Sequence, residues 1–209
     1  MSGAEIRAEL LKVTRRAYFQ DHMFAATSGN LSVYDRQAGH MYITPGSFPY
    51  EDMTEDDMMV IDLDGNVLEG KHKPSSEWKL HAAIYRNFEN VCAVVHTHSP
   101  YATSFAINHM NIPVVLYEIA WFLGGDIPVA EGALPGSPEV GENCVKVLKD
   151  RNGCLMGNHG AVAMGETLAQ AYTRAVYIED AAKAYSLALT HGPVKVVESA
   201  EVRRFLGKE

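Results

Sequence analysis

The chain has 209 residues, of which 47% are hydrophobic and 21% charged, and its formal net charge at pH 7 is −8. This composition is typical of a globular protein, so we expect a single domain over residues 1–209, with a polar C-terminal tail from about residue 195. A protein that binds a phosphate backbone needs a clustered basic face. This acidic chain has none, which excludes nucleic acid as the expected partner.

The cysteines and the N-terminal segment indicate a cellular compartment. Cys92, Cys144 and Cys154 are odd in number and far apart, as is typical of free thiols in a reducing environment. The N-terminal segment carries charges throughout, and no apolar run approaches the ~18 residues of a membrane-spanning helix. We therefore expect a cytoplasmic protein with no membrane partner.

The first part of the chain predicts one helix, four short strands and a second helix. A helical stripe of apolar residues comprises Ile6, Leu10, Val13 and Ala17. The segments SGNLSVYDR and GHMYITP predict two strands, and DDMMVIDLDGNVLEG predicts a hairpin that turns at Gly65. The segment KPSSEWKLHAAIYRNF then predicts a helix with Ser75 or Ser76 as its N-cap.

The rest of the chain alternates apolar runs with helical patterns. VCAVVHTH predicts a strand buried on both faces, and SPYATSFAIN predicts a helix. IPVVLYEIA and GCLMGNHGAVAMG contain strand-like runs, and the longest helix is predicted from about Thr167 to Leu189. The mixture of hairpins and helices predicts an α/β fold of three layers, α/β/α, with a mostly antiparallel central sheet. The polar end of the chain is predicted to be a mobile tail or a lid.

Two histidines one residue apart end the buried strand. Residues i and i+2 of a strand point to one face, so His96 and His98 lie side by side, where both rings can reach one ion. Such a pair is also compatible with structural packing, and a metal site needs a third ligand. His159, next to a glycine, is the best candidate, and His81, one helical turn after Glu77, competes with it.

Glu77 and the serines before it allow two interpretations each. A carboxylate near a helix N-terminus stabilises the helix, or it acts as a general acid or base beside the metal. Ser75 and Ser76 are either N-caps or phosphate ligands, since a helix N-terminus is a natural anion site. The turn from Ser28 to Asn30 also offers backbone amides to a phosphate.

Taken together, these motifs resemble the class II aldolase/adducin-head family. TSGNLSV, YITPGSFPYE, KPSSEWKLHAAIY, AVVHTHSPYATSFA, IPVVLYEIAWFLGG and GNHGAVAMG follow in family order over roughly residues 5 to 190. Within the family, the ketose-1-phosphate aldolases are most similar, above all those acting on L-fuculose 1-phosphate. The resemblance implies an α/β/α fold and a homotetramer with its active sites at the subunit interfaces.

The resemblance also implies a set of site residues. A divalent metal, usually Zn²⁺ with Mn²⁺ or Co²⁺ as alternatives, is held by His96, His98 and His159. Glu77 matches the catalytic carboxylate, and Tyr117 matches a tyrosine supplied across the interface. The implied phosphate-binding residues are Gly29, Asn30, Ser47, Ser75 and Ser76. At Ser47 this chain reads TPGSFPYE, where the family typically reads TPTGIPYE.

The implied reaction is the reversible, metal-dependent aldol cleavage of a ketose 1-phosphate to dihydroxyacetone phosphate and an aldehyde. The alternatives are a pentulose-phosphate 4-epimerase, which typically carries Asp at the position of Glu77, a methylthioribulose-1-phosphate dehydratase, and an adducin-like assembly domain. Trp121 and Phe122 stand where the family has small residues. They either contact an apolar aldehyde end, as in 5-deoxy- or 5-methylthioribulose 1-phosphate, or pack at the subunit interface.

Overall fold

The computed structural model describes residues 1–207, in which helices cover both faces of one sheet. The α-helices are α1 (Gly3–Phe19), α2 (Trp78–Asn87), α3 (Pro100–Ile107), α4 (Tyr117–Leu123), α5 (Pro138–Leu148), α6 (Leu168–His191) and α7 (Ser199–Phe205), and a short 3-10 helix covers Glu55–Asp57. The strands are β1 (Asn30–Asp35), β2 (His40–Ile43), β3 (Met59–Ile61), β4 (Val67–Glu69), β5 (Ala93–Thr97), β6 (Val129–Ala130), β7 (Gly153–Met156) and β8 (Gly160–Gly165).

The strands form a single eight-stranded sheet in the order β4-β3-β2-β1-β5-β8-β7-β6. Every neighbouring pair is antiparallel except β6 with β7. One core packs α1, α3, α4 and α6 on one face, and a second core packs α2 and α5 on the other. The predicted α/β/α fold with a mostly antiparallel sheet is therefore confirmed.

Most of the predicted elements form at the expected places. The stripe of α1 is buried at Ile6, Leu10 and Ala17, whereas Val13 is half-buried. The hairpin β3–β4 forms as predicted, and β5 is buried along its whole length because β1 and β8 flank it while helices cover both faces. Helix α6 is the longest, with Thr167 as its N-cap.

Two predictions need correction, and the polar end of the chain contains a helix that the sequence pattern did not indicate. Helix α2 begins at Trp78 with Glu77 as the N-cap, because Pro74 and Ser75 pair with the segment around Pro45 and keep the chain extended up to the helix.

The run IPVVLYEIA is not a strand: only Ile112 makes a bridge, and the rest leads into α4, which ends at the left-handed Gly124. The end of the chain forms α7, anchored by a hydrogen bond from Val197 N to Val114 O (2.8 Å). Residues 208 and 209 of the predicted tail lie outside the described residues.

No helix within residues 1–207 is long and apolar enough to cross a membrane.

Candidate metal centre and active site

Three histidines meet where β5 ends, on the sheet face covered by α2 and α5. His96 lies on β5, and His98 follows directly after that strand. His159 comes from the tight turn between β7 and β8, where Asn158 adopts a left-handed conformation (φ 57°). One ring nitrogen from each histidine lies within 4.8 Å of the others. The structure thus brings the three predicted ligands together.

A glycine makes this close approach possible. A Cβ atom at Gly160 would lie 2.3 Å from the carbonyl oxygen of Thr97 and 3.3 Å from Cε1 of His96. No side chain fits there, so only glycine lets the turn that carries His159 close onto the end of β5.

The hydrogen bonds of His96 leave a lone pair aimed at the cluster. Its Nδ1 lies 2.9 Å from the carbonyl oxygen of Ala161, which can only accept, so Nδ1 carries the proton. In the neutral ring Nε2 is then unprotonated, and it lies 2.9 Å from Nε2 of His98. Burial and the neighbouring histidines lower the pKa of His96 well below its usual value, and burial together with His159 lowers the pKa of His98 to about 4. Neutral imidazoles are the form that binds metal ions.

The carboxylate of Glu77 faces the same point and has one unsatisfied oxygen. Its Oε1 accepts a hydrogen bond from the backbone N–H of Gly136 (2.6 Å). Its Oε2 is buried, has no hydrogen-bond partner among the described residues 1–207, and lies 3.8 Å from Nε2 of His96 and 3.6 Å from Nε2 of His159. A buried, unpaired carboxylate oxygen is costly unless a cation compensates it. Three imidazoles and this oxygen therefore fit a divalent cation.

His81, the competing candidate ligand, does not join the cluster. It is fully buried, and its ring nitrogens bond to Asn30 Oδ1 (2.5 Å) and Ser32 Oγ (2.6 Å). Both nitrogens are engaged, which leaves no lone pair for a metal.

The candidate phosphate residues lie on three segments that meet beside Glu77. Ser75 N donates to Thr44 O (3.1 Å), and Thr44 N donates to Leu31 O (3.1 Å), so the segments around residues 30, 45 and 75 are adjacent. Ser75 is buried and its Oγ accepts from Glu77 N (3.3 Å), whereas Ser76 and Ser47 are exposed. Gly29 has a φ of 87° and packs against Phe24, where a Cβ atom would lie 2.3 Å from the ring. Asn30 lies opposite His96 in the β1–β5 pairing.

Tyr117 and the two aromatics after it lie apart from the histidines. Tyr117 is 43% exposed, and its hydroxyl donates to Glu201 of α7, which raises the pKa of Tyr117. Trp121 is 63% exposed and meets the ring of Phe205 edge-on. Phe122 stacks on Tyr177 of α6, with 4.3 Å between ring centroids, so it packs inside its own chain.

Sequence reasoning missed the turn that holds Glu77. Ser137 N donates to Leu134 O (3.0 Å), and Gly136 in this turn has a φ of 80°. The Leu-Pro-Gly-Ser pattern is itself a turn signal. Nothing in it indicates that a backbone N–H reaches a carboxylate 59 positions away.

Comparisons with known proteins agree with this geometry. Residues 8–186 match the family model of the Class II Aldolase and Adducin N-terminal domain. The 5-deoxy-D-ribulose 1-phosphate aldolase of Bacillus thuringiensis is 34% identical, over 87% of this chain and 85% of the relative. The L-fuculose phosphate aldolase of Escherichia coli is 39% identical, over 87% and 84%. A solved structure of an L-fuculose 1-phosphate aldolase superposes with a TM-score of 0.94 at 34% identity, covering 100% of this chain and 97% of the other. The chain therefore belongs to the class II aldolase and adducin N-terminal domain family.

Proposed function

We propose that this chain is a metal-dependent aldolase that reversibly cleaves a ketose 1-phosphate to dihydroxyacetone phosphate and an aldehyde. The observation that carries the proposal is the meeting of three imidazoles with the Oε2 of Glu77, which has no hydrogen-bond partner among residues 1–207. Family membership and the aldolases among the relatives support the same reaction. We also propose that residues 1–209 form a single domain.

We propose that His96, His98 and His159 hold the metal, and that it is Zn²⁺. Three imidazoles with an open position form a typical catalytic zinc site. When bound, such a cation supplies Lewis-acid polarisation of the substrate carbonyl.

Glu77 is the proposed acid and base at carbon. When the C3–C4 bond of the ketose breaks, C3 must gain a proton, and in the synthetic direction C3 must lose one. Because the Gly136 N–H holds Oε1, the carboxylate presents Oε2 to the histidine cluster and to a substrate bound there. The proposed role of Tyr117 is to take the proton of the C4 hydroxyl or to assist its transfer.

The phosphate is proposed to bind between the three segments that carry Gly29, Asn30, Ser47, Ser75 and Ser76. These segments meet next to Glu77, so a phosphate held there orients the reacting carbons toward the carboxylate. The substrate is proposed to be of the L-fuculose 1-phosphate or 5-deoxyribulose 1-phosphate type, the compounds named in the two curated relatives.

The proposed assembly is a homotetramer with active sites at its interfaces. The exposed aromatic side chains of Tyr117 and Trp121 support it, because large exposed apolar groups mark interaction surfaces. The contacts of Phe122 within its own chain leave Trp121 as the aromatic available to a neighbouring subunit or to the aldehyde.

The test is a coupled assay for dihydroxyacetone phosphate with L-fuculose, L-rhamnulose, ribulose, 5-deoxyribulose and 5-methylthioribulose 1-phosphates, before and after chelation. We expect release from at least one substrate, loss of activity with chelator and recovery with Zn²⁺. Full activity without metal would reject the mechanism. A stereoisomer as the sole product would indicate an epimerase. A ketone product formed without carbon–carbon cleavage would indicate a dehydratase, and the absence of any reaction would indicate an assembly domain.

Glu77→Gln separates the carboxylate from the metal. The amide preserves the shape of the side chain but accepts no proton from carbon, so turnover should fall by about a hundredfold or more. Metal content should remain close to that of the wild type. The readout is deuterium exchange at the hydroxymethyl carbon of dihydroxyacetone phosphate, which needs no knowledge of the aldehyde. Undiminished exchange in this variant would reject the role of Glu77.

A further inference from the structure

A chain of four buried polar side chains runs from the inside of α2 to the active site. The Tyr85 hydroxyl lies 2.6 Å from Ser32 Oγ, and Ser32 Oγ lies 2.6 Å from His81 Nδ1. His81 Nε2 in turn lies 2.5 Å from Asn30 Oδ1. Tyr85, Ser32 and His81 are all fully buried or nearly so, and none of them touches the metal cluster.

The donors and acceptors of this chain can be assigned from its end. Asn30 Oδ1 only accepts, so His81 Nε2 carries the proton and Nδ1 is the acceptor. Ser32 must then donate to Nδ1, while the Tyr85 hydroxyl donates toward Ser32, at Oγ and at its carbonyl oxygen (3.0 Å). Burial lowers the pKa of His81 to about 3, which keeps the ring neutral and this order of hydrogen bonds intact.

The consequence for Asn30 is a fixed amide orientation. Oδ1 is held by His81, and the amide nitrogen makes no hydrogen bond to any other residue within 1–207. Asn30 is only 4% exposed and lies opposite His96, next to the segments of Ser75 and Ser47. An amide rotated by half a turn would present its oxygen there instead, which repels a phosphate oxygen.

We propose that His81 is a positioning residue for substrate phosphate: through its Nε2–H it locks the Asn30 amide so that the amide N–H groups donate to the phosphate. This rests on the proposed function, in which Asn30 binds phosphate. Ser32 and Tyr85 complete the hydrogen bonds of this tautomer, because the Ser32 hydroxyl donates to Nδ1 of His81 and the Tyr85 hydroxyl donates toward Ser32. Hydrogen bonds in the buried core thereby determine how Asn30 binds the substrate phosphate.

The alternative is that the four side chains only stabilise the fold. The two roles predict different effects of a substitution. A positioning role through Asn30 affects phosphate binding alone, whereas a purely structural role affects all activities of the site. Dihydroxyacetone phosphate and dihydroxyacetone differ only in that phosphate. The ratio of their exchange rates in deuterated water therefore isolates the contribution of the phosphate.

The experiment compares His81→Gln with His81→Asn in the metal-loaded enzyme. The amide nitrogen of Gln occupies the place of Nε2 and still donates to Asn30, whereas Asn reaches only the place of Nδ1. For His81→Asn we expect the KM for dihydroxyacetone phosphate and the inhibition constant of inorganic phosphate to rise about tenfold, with kcat and dihydroxyacetone exchange within about twofold of wild type. His81→Gln should restore both constants. The proposal would be overturned if His81→Asn slowed exchange equally with dihydroxyacetone phosphate and with dihydroxyacetone. It would also be overturned if His81→Gln and His81→Asn had the same constants.

Asn30→Asp tests the underlying assumption separately. Aspartate keeps the acceptor for His81 but has no N–H for phosphate, so it should raise the same two constants by at least about tenfold. Combining it with His81→Asn should then add little, since both act on one contact. If Asn30→Asp leaves the two constants unchanged, Asn30 is not a phosphate ligand, and the phosphate site given under the proposed function is wrong. If it raises them and His81→Asn does not, only the role of His81 is wrong.

Discussion

Backbone groups fix the key side chains of the site. The carbonyl of Ala161 sets the tautomer of His96, and the N–H of Gly136 holds one oxygen of Glu77. Each contact engages one end of a side chain and so determines where its other end points. A site built in this way is sensitive to small backbone shifts, even those that leave every functional side chain in place.

Gly160→Ala tests this sensitivity. The new Cβ atom would collide with the carbonyl oxygen of Thr97 and press on the ring of His96, so the turn carrying His159 must move away from β5. We expect metal affinity to fall about tenfold or more, which titration of the chelated protein with Zn²⁺ would measure.

The matched control is Gly39→Ala. Gly39 has open space around its Cβ position but a φ of 72°, so the substitution should cost stability without affecting metal affinity. If Gly160→Ala binds metal as the wild type does, the close approach of the two segments is not needed for the site.

The residues of the site differ in how far the sequence reveals them. His96 and His98 are readable because strand periodicity alone places them on one face. The role of His81 is not readable, because its partner Asn30 lies 51 positions away and either ring nitrogen could have bound a metal. The sequence shows the chemical type of each side chain, whereas the partners that orient it depend on the tertiary fold.

At the scale of elements, Asp57 ties the 3-10 helix to the segment that leads into α2. Its side chain is buried and accepts hydrogen bonds from Thr54 N (2.8 Å) and Thr54 Oγ1 (2.6 Å). On its other side it contacts His72 Nε2 (2.8 Å) and Lys71 Nζ (3.0 Å). Burial alone would raise the pKa of Asp57, but these hydrogen bonds outweigh it and hold the pKa well below its usual value.

Asp57→Asn should therefore lower the free energy of unfolding at neutral pH by about 1–3 kcal/mol, because it weakens several buried hydrogen bonds to a charge. A carboxyl with a lowered pKa stabilises the fold above its unfolded pKa of about 3.9 and loses this contribution as pH falls toward the folded value. The difference from wild type, measured by urea unfolding, should thus shrink below about pH 4. The exposed neighbour is the control: Asp56→Asn should change little at any pH. A difference independent of pH would contradict this account.

Helices and strands can be predicted from the sequence more reliably when they are long and have a regular pattern of apolar residues. Helix α5 went unpredicted although it has a readable pattern, with Val140, Cys144 and Leu148 buried at every fourth position and a proline at its start. Helix α4 is short and follows β-branched residues, so its sequence favours a strand, whereas its helical state depends on packing against α6. Short elements owe their structure to tertiary contacts, which a local pattern does not contain.

At the scale of the whole molecule, the fold collects the proposed catalytic groups at one point and leaves Tyr117 elsewhere. Glu77 and the three histidines come from α2, β5 and the β7–β8 turn, all on one face of the sheet. Tyr117 begins α4, on the opposite core, and contacts Glu201 and Phe205 of α7. Tyr117 is therefore proposed to act at the site of a neighbouring subunit.

Mixing two inactive variants tests that arrangement. Glu77→Gln and Tyr117→Phe should each be nearly inactive alone, because every site lacks one group. In co-expressed hybrids, a site with Glu77 from one subunit and Tyr117 from its neighbour forms in about one case of four, so about a quarter of wild-type activity should return. Glu77→Gln mixed with His159→Ala should recover nothing, since both groups belong to the same half of the site. Failure of the first pair to recover, in hybrids verified by mass spectrometry, would place the action of Tyr117 within its own subunit or outside the reaction altogether.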